Sequence, residues 1–203
     1  MKQSPIIGTL RTPFKFAAVL AAACLIPALA QAHHMPGEIR GFNSGISHPI
    51  SGLDHILAML AVGLWAAQLG GRARWAVPGT FVGVMALGGA LGMAGLSLPG
   101  VEAGIMASVL VLGLLIAGAT RLPLMAGMML VGCFALFHGH AHGTEIAATG
   151  SSLAYSVGFL TATAALHAVG LAAGSLAQKQ LSVPALRFAG AAIALAGVCL
   201  WLS

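Results

Sequence analysis

The chain has 203 residues, of which 59% are hydrophobic and only 6% charged, and its mean hydropathy is +0.97. Such a composition lacks the polar groups needed to cover a water-soluble globule, so it specifies an integral membrane protein. The formal charge of +5 does not point to nucleic acid: Lys2, Arg11 and Lys15 fall in a leader, the other basic residues are scattered singly, and no basic stripe exists to follow a phosphate backbone.

Residues 1–32 combine a basic start, the apolar run "FAAVLAAACLIPALA" and the small-x-small end Ala30-Gln31-Ala32, which together predict a secretory signal peptide cleaved after Ala32. The polar segment "HHMPGEIRGFNSGIS" follows. Six apolar segments then come at about 50–69, 75–96, 101–119, 122–140, 147–173 and 184–202, each long enough to cross about 30 Å of hydrocarbon. Short loops separate them, among them "GGRAR", "SLPG", "RLP", "HGHAHGTE" and "SLAQKQLSVP". The expected fold class is therefore all-α: a six-transmembrane-helix bundle after a cleaved signal peptide, with residues 33–203 as one domain. The 28 glycines suit helices that approach one another closely through small residues. Cys24, Cys133 and Cys199 stand in apolar stretches without CxxC spacing and read as small buried hydrophobes.

Export of the segment after the signal makes the first span run outside to inside. Arg72, Arg74, Arg121, Lys179 and Arg187 then all fall on the cytoplasmic side, leaving Arg40 as the one mature basic residue outside, as the positive-inside rule requires. The expected location is the bacterial inner membrane, with the mature N-terminus and the C-terminus in the periplasm.

Under this topology the ionisable groups gather at the outer ends of three helices. The first span contributes "SHPISGLDHILAML", with Asp54 and His55 about a turn and a half in; Glu102 starts the third span; His138, His140, His142 and Glu145 end the fourth. A carboxylate inside a membrane helix costs roughly 2.5–3.5 kcal/mol at the centre and less near the interface, so it needs an offsetting partner. Imidazole with carboxylate suits Ni, Co, Zn, Cu or Fe dications, whereas Mg and Ca favour oxygen ligands alone. If the fourth helix continues through its polar end, His138, His142 and Glu145 lie at i, i+4 and i+7 on one face, with His140 pointing away to water or to support a ligand. Pro49 suits the first turn of the first helix, Gly52 admits a close neighbour, and Asp54 serves either as a ligand or as the acceptor that fixes the His55 tautomer. Weaker candidates are Met59, one turn beyond His55; His33 and His34 beside a new amino terminus; Glu102; and His167 in the fifth span, nearer its cytoplasmic end, as a core histidine or a relay deeper along a path.

At these residues the chain resembles the HupE/UreJ family of membrane proteins, regarded as secondary permeases for nickel, with some members linked to cobalt. The resemblance rests on His48-Pro49-Ile50-Ser51-Gly52-Leu53-Asp54-His55 with Met59 and Val62-Gly63, and on Phe137-His138-Gly139-His140-Ala141-His142-Gly143-Thr144-Glu145. It implies that His48, Asp54, His55 and the histidines from His138 to His142 take part in metal uptake, and that residues 33–203 form a permease domain. The larger nickel/cobalt permeases carry a similar signature with four residues between His and Asp-His; here five intervene.

The expected activity is transport of a divalent transition-metal ion, nickel first and cobalt second, carried as cargo with no permanently bound cofactor. No GxxxxGK[ST] loop is present, so energy comes from the membrane potential, a proton gradient or a separate coupling or metal-delivery partner. Without HExxH or GxSxG motifs the chain is not expected to be an enzyme. The rival readings are a metal-binding sensor or accessory subunit, and a membrane protein with bis-histidine haem.

Overall fold

The computed structural model describes residues 41–147, 152–180 and 183–202; the predicted signal peptide, His33, His34, Glu38 and Arg40 lie outside them. The described residues form seven helices: α1 Phe42–Ser51, α2 Leu53–Leu69, α3 Ala73–Met93, α4 Val101–Ala117, α5 Leu124–Ala147, α6 Ser152–Gln180 and α7 Val183–Leu202. Spans Ala73–Met93, Leu124–Ile146, Leu153–Lys179 and Pro184–Leu202 are each long and apolar enough to cross a membrane. The α1–α2 pair makes a fifth if taken together across its 87° bend. Helix α4 is apolar but has 17 residues, a rise of about 26 Å. The observed count is thus four to five candidate spans.

The first apolar segment is not one helix. Gly52 leaves the helical region (φ −99°, ψ 123°), and Pro49, expected in a first turn, stands near the C-terminal end of α1. Pro49 lacks an N–H for the α1 ladder, and Gly52 then turns the chain, so Asp54 lies in the first turn of α2 rather than a turn and a half inside a span. Other boundaries moved outward. Helix α5 runs through the whole "HGHAHGTE" stretch, because polarity does not end a helix; Thr144 Oγ1 donates to the carbonyl of Ala141 at 2.6 Å and the ladder continues. Helix α6 likewise continues to Gln180, which puts His167 near its middle and not toward one end.

Helix α2 is the hub, packing mainly on α6, α4 and α3 and touching α1 and α7, with Met59, Val62, Trp65 and Ala66 fully buried. The closest pairings, α3 with α5, α4 with α7 and α2 with α6, are made through glycine. Gly88 and Gly92 of α3 meet the backbone of α5 at Leu136, His140 and Thr144, while Gly139 and Gly143 of α5 meet Met85 and Gly89 of α3. Two GxxxG faces thus lie backbone to backbone, as small residues permit in lipid. The order of these contacts makes α3 and α5 parallel, α2 and α6 parallel, and α4 and α7 antiparallel.

The outer surface is apolar, with Leu153, Met129, Leu195 and Phe188 exposed. Trp75 at one end and Trp201 at the other are also exposed, matching aromatic belts at two membrane interfaces. Charge is segregated along the same axis. Among the described residues, Asp54, Glu102 and Glu145 sit at the end formed by the starts of α2 and α4 and the finish of α5; Arg72, Arg74, Arg121, Lys179 and Arg187 sit at the opposite end. There the Arg187 side chain donates through Nε to the carbonyl of Ala117 at 2.8 Å, Trp65 Nε1 to that of Thr120 at 3.1 Å and Gln68 Nε2 to that of Ile116 at 3.2 Å. These side chains thereby engage carbonyls at and just beyond the close of α4.

Candidate metal centre

At the acidic end, one continuous set of side-chain contacts links three helices. His48 comes from α1, Asp54 and His55 from α2, and His138, His142 and Glu145 from α5. Because α5 stays helical, its three groups fall on one side as the spacing predicts. Glu145 Oε2 accepts from His142 Nδ1 at 3.1 Å and from His48 Nε2 at 3.3 Å. One donor atom from each of His48, His142 and Glu145 lies within 4.8 Å of the others. An ion with bonds of about 2.0–2.2 Å holds its ligand atoms about 3–4 Å apart, so modest side-chain convergence would close these three around one dication.

Asp54 acts on His55. Its Oδ1 accepts both the backbone N–H and Nδ1–H of His55, each at 2.9 Å, and so caps the start of α2 while fixing the ring. Gly52 makes this possible: a Cβ there would lie 2.8 Å from Asp54 Oδ1 and 3.1 Å from His55 Nδ1.

With carboxylates accepting at Nδ1 of both His55 and His142, the two Nε2 lone pairs are directed at each other, 2.6 Å apart. Two such lone pairs repel unless a proton or a cation lies between them. A carboxylate behind each imidazole is also the arrangement that orients histidine toward a metal and raises its basicity.

Aromatic rings from α6 wall the cluster: Phe159 stands 4.4 Å from the His142 ring centroid and Tyr155 5.8 Å from that of His48. A cleft of about 80 Å³, bounded by Met85, Gly89, Gly139 and Phe159, opens beside His142 and is large enough for several waters. Glu145 keeps 40% of its side chain exposed while the histidines are nearly covered, so the carboxylate forms the mouth.

The other sequence candidates are placed differently. His138 is fully buried behind His55, its ring at 5.0 Å and perpendicular, with Nε2 on Ser108 Oγ at 3.0 Å. His140 does point away from the cluster, but into protein: it is buried, and Nε2 donates to the Leu96 carbonyl at 2.6 Å, tying the segment after α3 to α5. Met59 is packed in the core, and Glu102 is exposed in the first turn of α4 without a bond to the cluster. His167 is buried in α6 against Phe81.

Sequence reasoning missed Ser108, Tyr155, Phe159 and the Leu96 carbonyl. Ser108 alone carried a signal, being the one hydroxyl in α4. The α6 aromatics and a backbone carbonyl have no local signature.

The family profile described as "HupE / UreJ protein" matches residues 20–200 of the chain. A curated relative, "Protein HupE" of Rhizobium leguminosarum bv. viciae, is 47% identical over 182 residues, covering 88% of this chain and 93% of that protein. No solved structure matches. The chain belongs to the HupE/UreJ family.

Proposed function

We propose that this HupE/UreJ family member is a permease that takes a divalent transition-metal ion, nickel first and cobalt second, from the periplasm through the bacterial inner membrane. The observation that carries the reading is the meeting of His48, His142 and Glu145 within 4.8 Å, with Asp54-backed His55 against His142. Hydrated dications give up water only for replacement ligands, and imidazole with carboxylate suits nickel and cobalt better than magnesium or calcium. Charge segregation supports the orientation: the cationic end faces the cytoplasm and the histidine end the periplasm. In this reading α1–α2 and α4 count as spans, giving six, the signal peptide is removed after Ala32, residues 33–203 are the permease domain, and both termini are periplasmic. The ion is cargo, and the chain catalyses no covalent chemistry. Movement is driven by the membrane potential, a proton gradient or a separate coupling or delivery partner.

The test is uptake of radiolabelled Ni by proteoliposomes, with Co, Zn and Mg competitors. Saturable uptake, competed by Co more strongly than by Mg and lost in His55→Ala and Asp54→Asn, is expected. Unchanged uptake in both variants would sink the assigned roles; tight binding without uptake would make the chain a metal-binding accessory subunit.

A further inference from the structure

One of the aromatic rings that wall the cluster carries a polar atom with nothing to bond. Tyr155 is the sole tyrosine of the chain, only 1% of it is accessible, and its hydroxyl is buried with no hydrogen-bond partner among the described residues. A buried donor left unpaired destabilises the state in which it occurs, and native side chains mostly avoid it. Packing here needs a ring and no hydroxyl: Tyr155 stacks on Phe159 with the ring planes 10° apart, a contact that a phenyl group would make equally well. The residue is also fixed in place. A Cβ on Gly45 of α1 would collide with the Tyr155 carbonyl oxygen, and one on Gly158 of α6 with that of Phe42, so α1 lies backbone to backbone on α6 at this level.

An unpaired acceptor lies across the same imidazole. Glu145 receives both of its bonds on Oε2, from His142 Nδ1 at 3.1 Å and His48 Nε2 at 3.3 Å, and its Oε1 has no hydrogen bond among the described residues. The His48 ring meets that carboxylate through Nε2 and meets Tyr155 edge-on, with the ring centroids 5.8 Å apart. Glu145 is near enough for its charge to act on the Tyr155 hydroxyl. It is also the least covered of the three metal-site groups, with 40% of its side chain exposed against 11% for His48 and 5% for His142, and so has the most room to move.

We propose that Tyr155 is a positioning residue that latches Glu145 over the bound ion: when the carboxylate draws in to coordinate through Oε2, the phenol O–H donates to Oε1. The inference rests on the permease reading and assigns one further residue to the same site. Donor and acceptor are both idle in the metal-free protein and satisfy each other in the loaded one, so the hydroxyl contributes to binding and not to folding. A hydrogen bond behind a ligand carboxylate holds it toward the metal. Because this bond forms only after the ion has arrived, it slows departure more than it speeds capture.

Tyr155→Phe removes the hydroxyl and keeps the ring. In the purified full chain the metal-free variant should melt at or above the wild-type temperature, while its Ni affinity by titration calorimetry falls about 10- to 100-fold. Stopped-flow release of Ni to a chelator should show that the loss is chiefly faster departure. In a Glu145→Ala background, where no Oε1 remains, the same substitution should change the residual affinity by less than about twofold. Infrared difference spectra of wild type should show the phenol C–O band shifting when Ni is added, and a single tyrosine makes that band unambiguous. A lower melting temperature for the metal-free variant would mean that the hydroxyl is already bonded in the empty protein and would overturn the latch. Unchanged Ni affinity, or a loss that persists without Glu145, would overturn it too. Wild type that binds Ni with these signatures but transports none would remove the permease reading and still support the latch, which is read from binding alone.

Discussion

Adding one methyl group at Gly139 should loosen the bundle, whereas adding the same group at Gly79 should not. A Cβ on Gly139 would collide with the carbonyl oxygen of Met85 and lie 2.8 Å from its carbon and 2.9 Å from the nitrogen of Gly89, all backbone atoms of α3. No rotamer change relieves a backbone contact, so α3 and α5 must separate until the methyl sits at an ordinary 3.4–4 Å. Overpacking of this kind costs about 1–3 kcal/mol, and the neighbouring close approaches at Gly88 and Gly143 loosen with it. Gly79, on the same α3, has nothing within 4 Å of its would-be Cβ, so Ala there can only gain helix propensity, up to about 1 kcal/mol. Thermal unfolding of the detergent-solubilised protein, followed by helical circular dichroism, should place Gly139→Ala about 5 °C or more below Gly79→Ala. Because His138 and His140 flank Gly139, Ni affinity should fall as well. Equal melting temperatures for the two variants would refute backbone-to-backbone packing of α3 on α5.

Asp54→Asn keeps the shape but removes the charge behind His55, so Ni affinity measured by titration calorimetry should fall about 10- to 100-fold while the fold survives. His140→Phe removes the bond to the Leu96 carbonyl and should lower stability by about 1–3 kcal/mol, with little change in Ni affinity; a large affinity loss without destabilisation would make His140 a ligand. Acidifying the medium from about pH 8 to about pH 5 should weaken Ni binding and release bound metal, since protons compete for imidazole lone pairs, as direct binding at a series of pH values will test.

The ligand spacing on α5 was legible because helical period is a local property: His138, His142 and Glu145 share a face wherever the helix persists, and it persists to Ala147. The pairing of Asp54 with His55 was legible for the same reason, being a contact between adjacent residues. What lay beyond the sequence was every relation between helices. That His142 meets His55 from another helix, that His48 arrives on a helix turned 87° from α2, and that Ser108 Oγ accepts a hydrogen bond from His138 Nε2–H all depend on crossing points set by glycine contacts far away in the chain. Hydropathy also misjudged the first span, since it registers apolar length and not backbone continuity; Pro49 and Gly52 break the helix inside an apolar run. The same break carries the chemistry. A straight helix from Phe42 to Leu69 would place His48 and His55 seven residues and about 10 Å apart along one axis, too far to converge. Folding the first of them back toward Glu145 is what lets the end of α5 bring both into a single connected cluster.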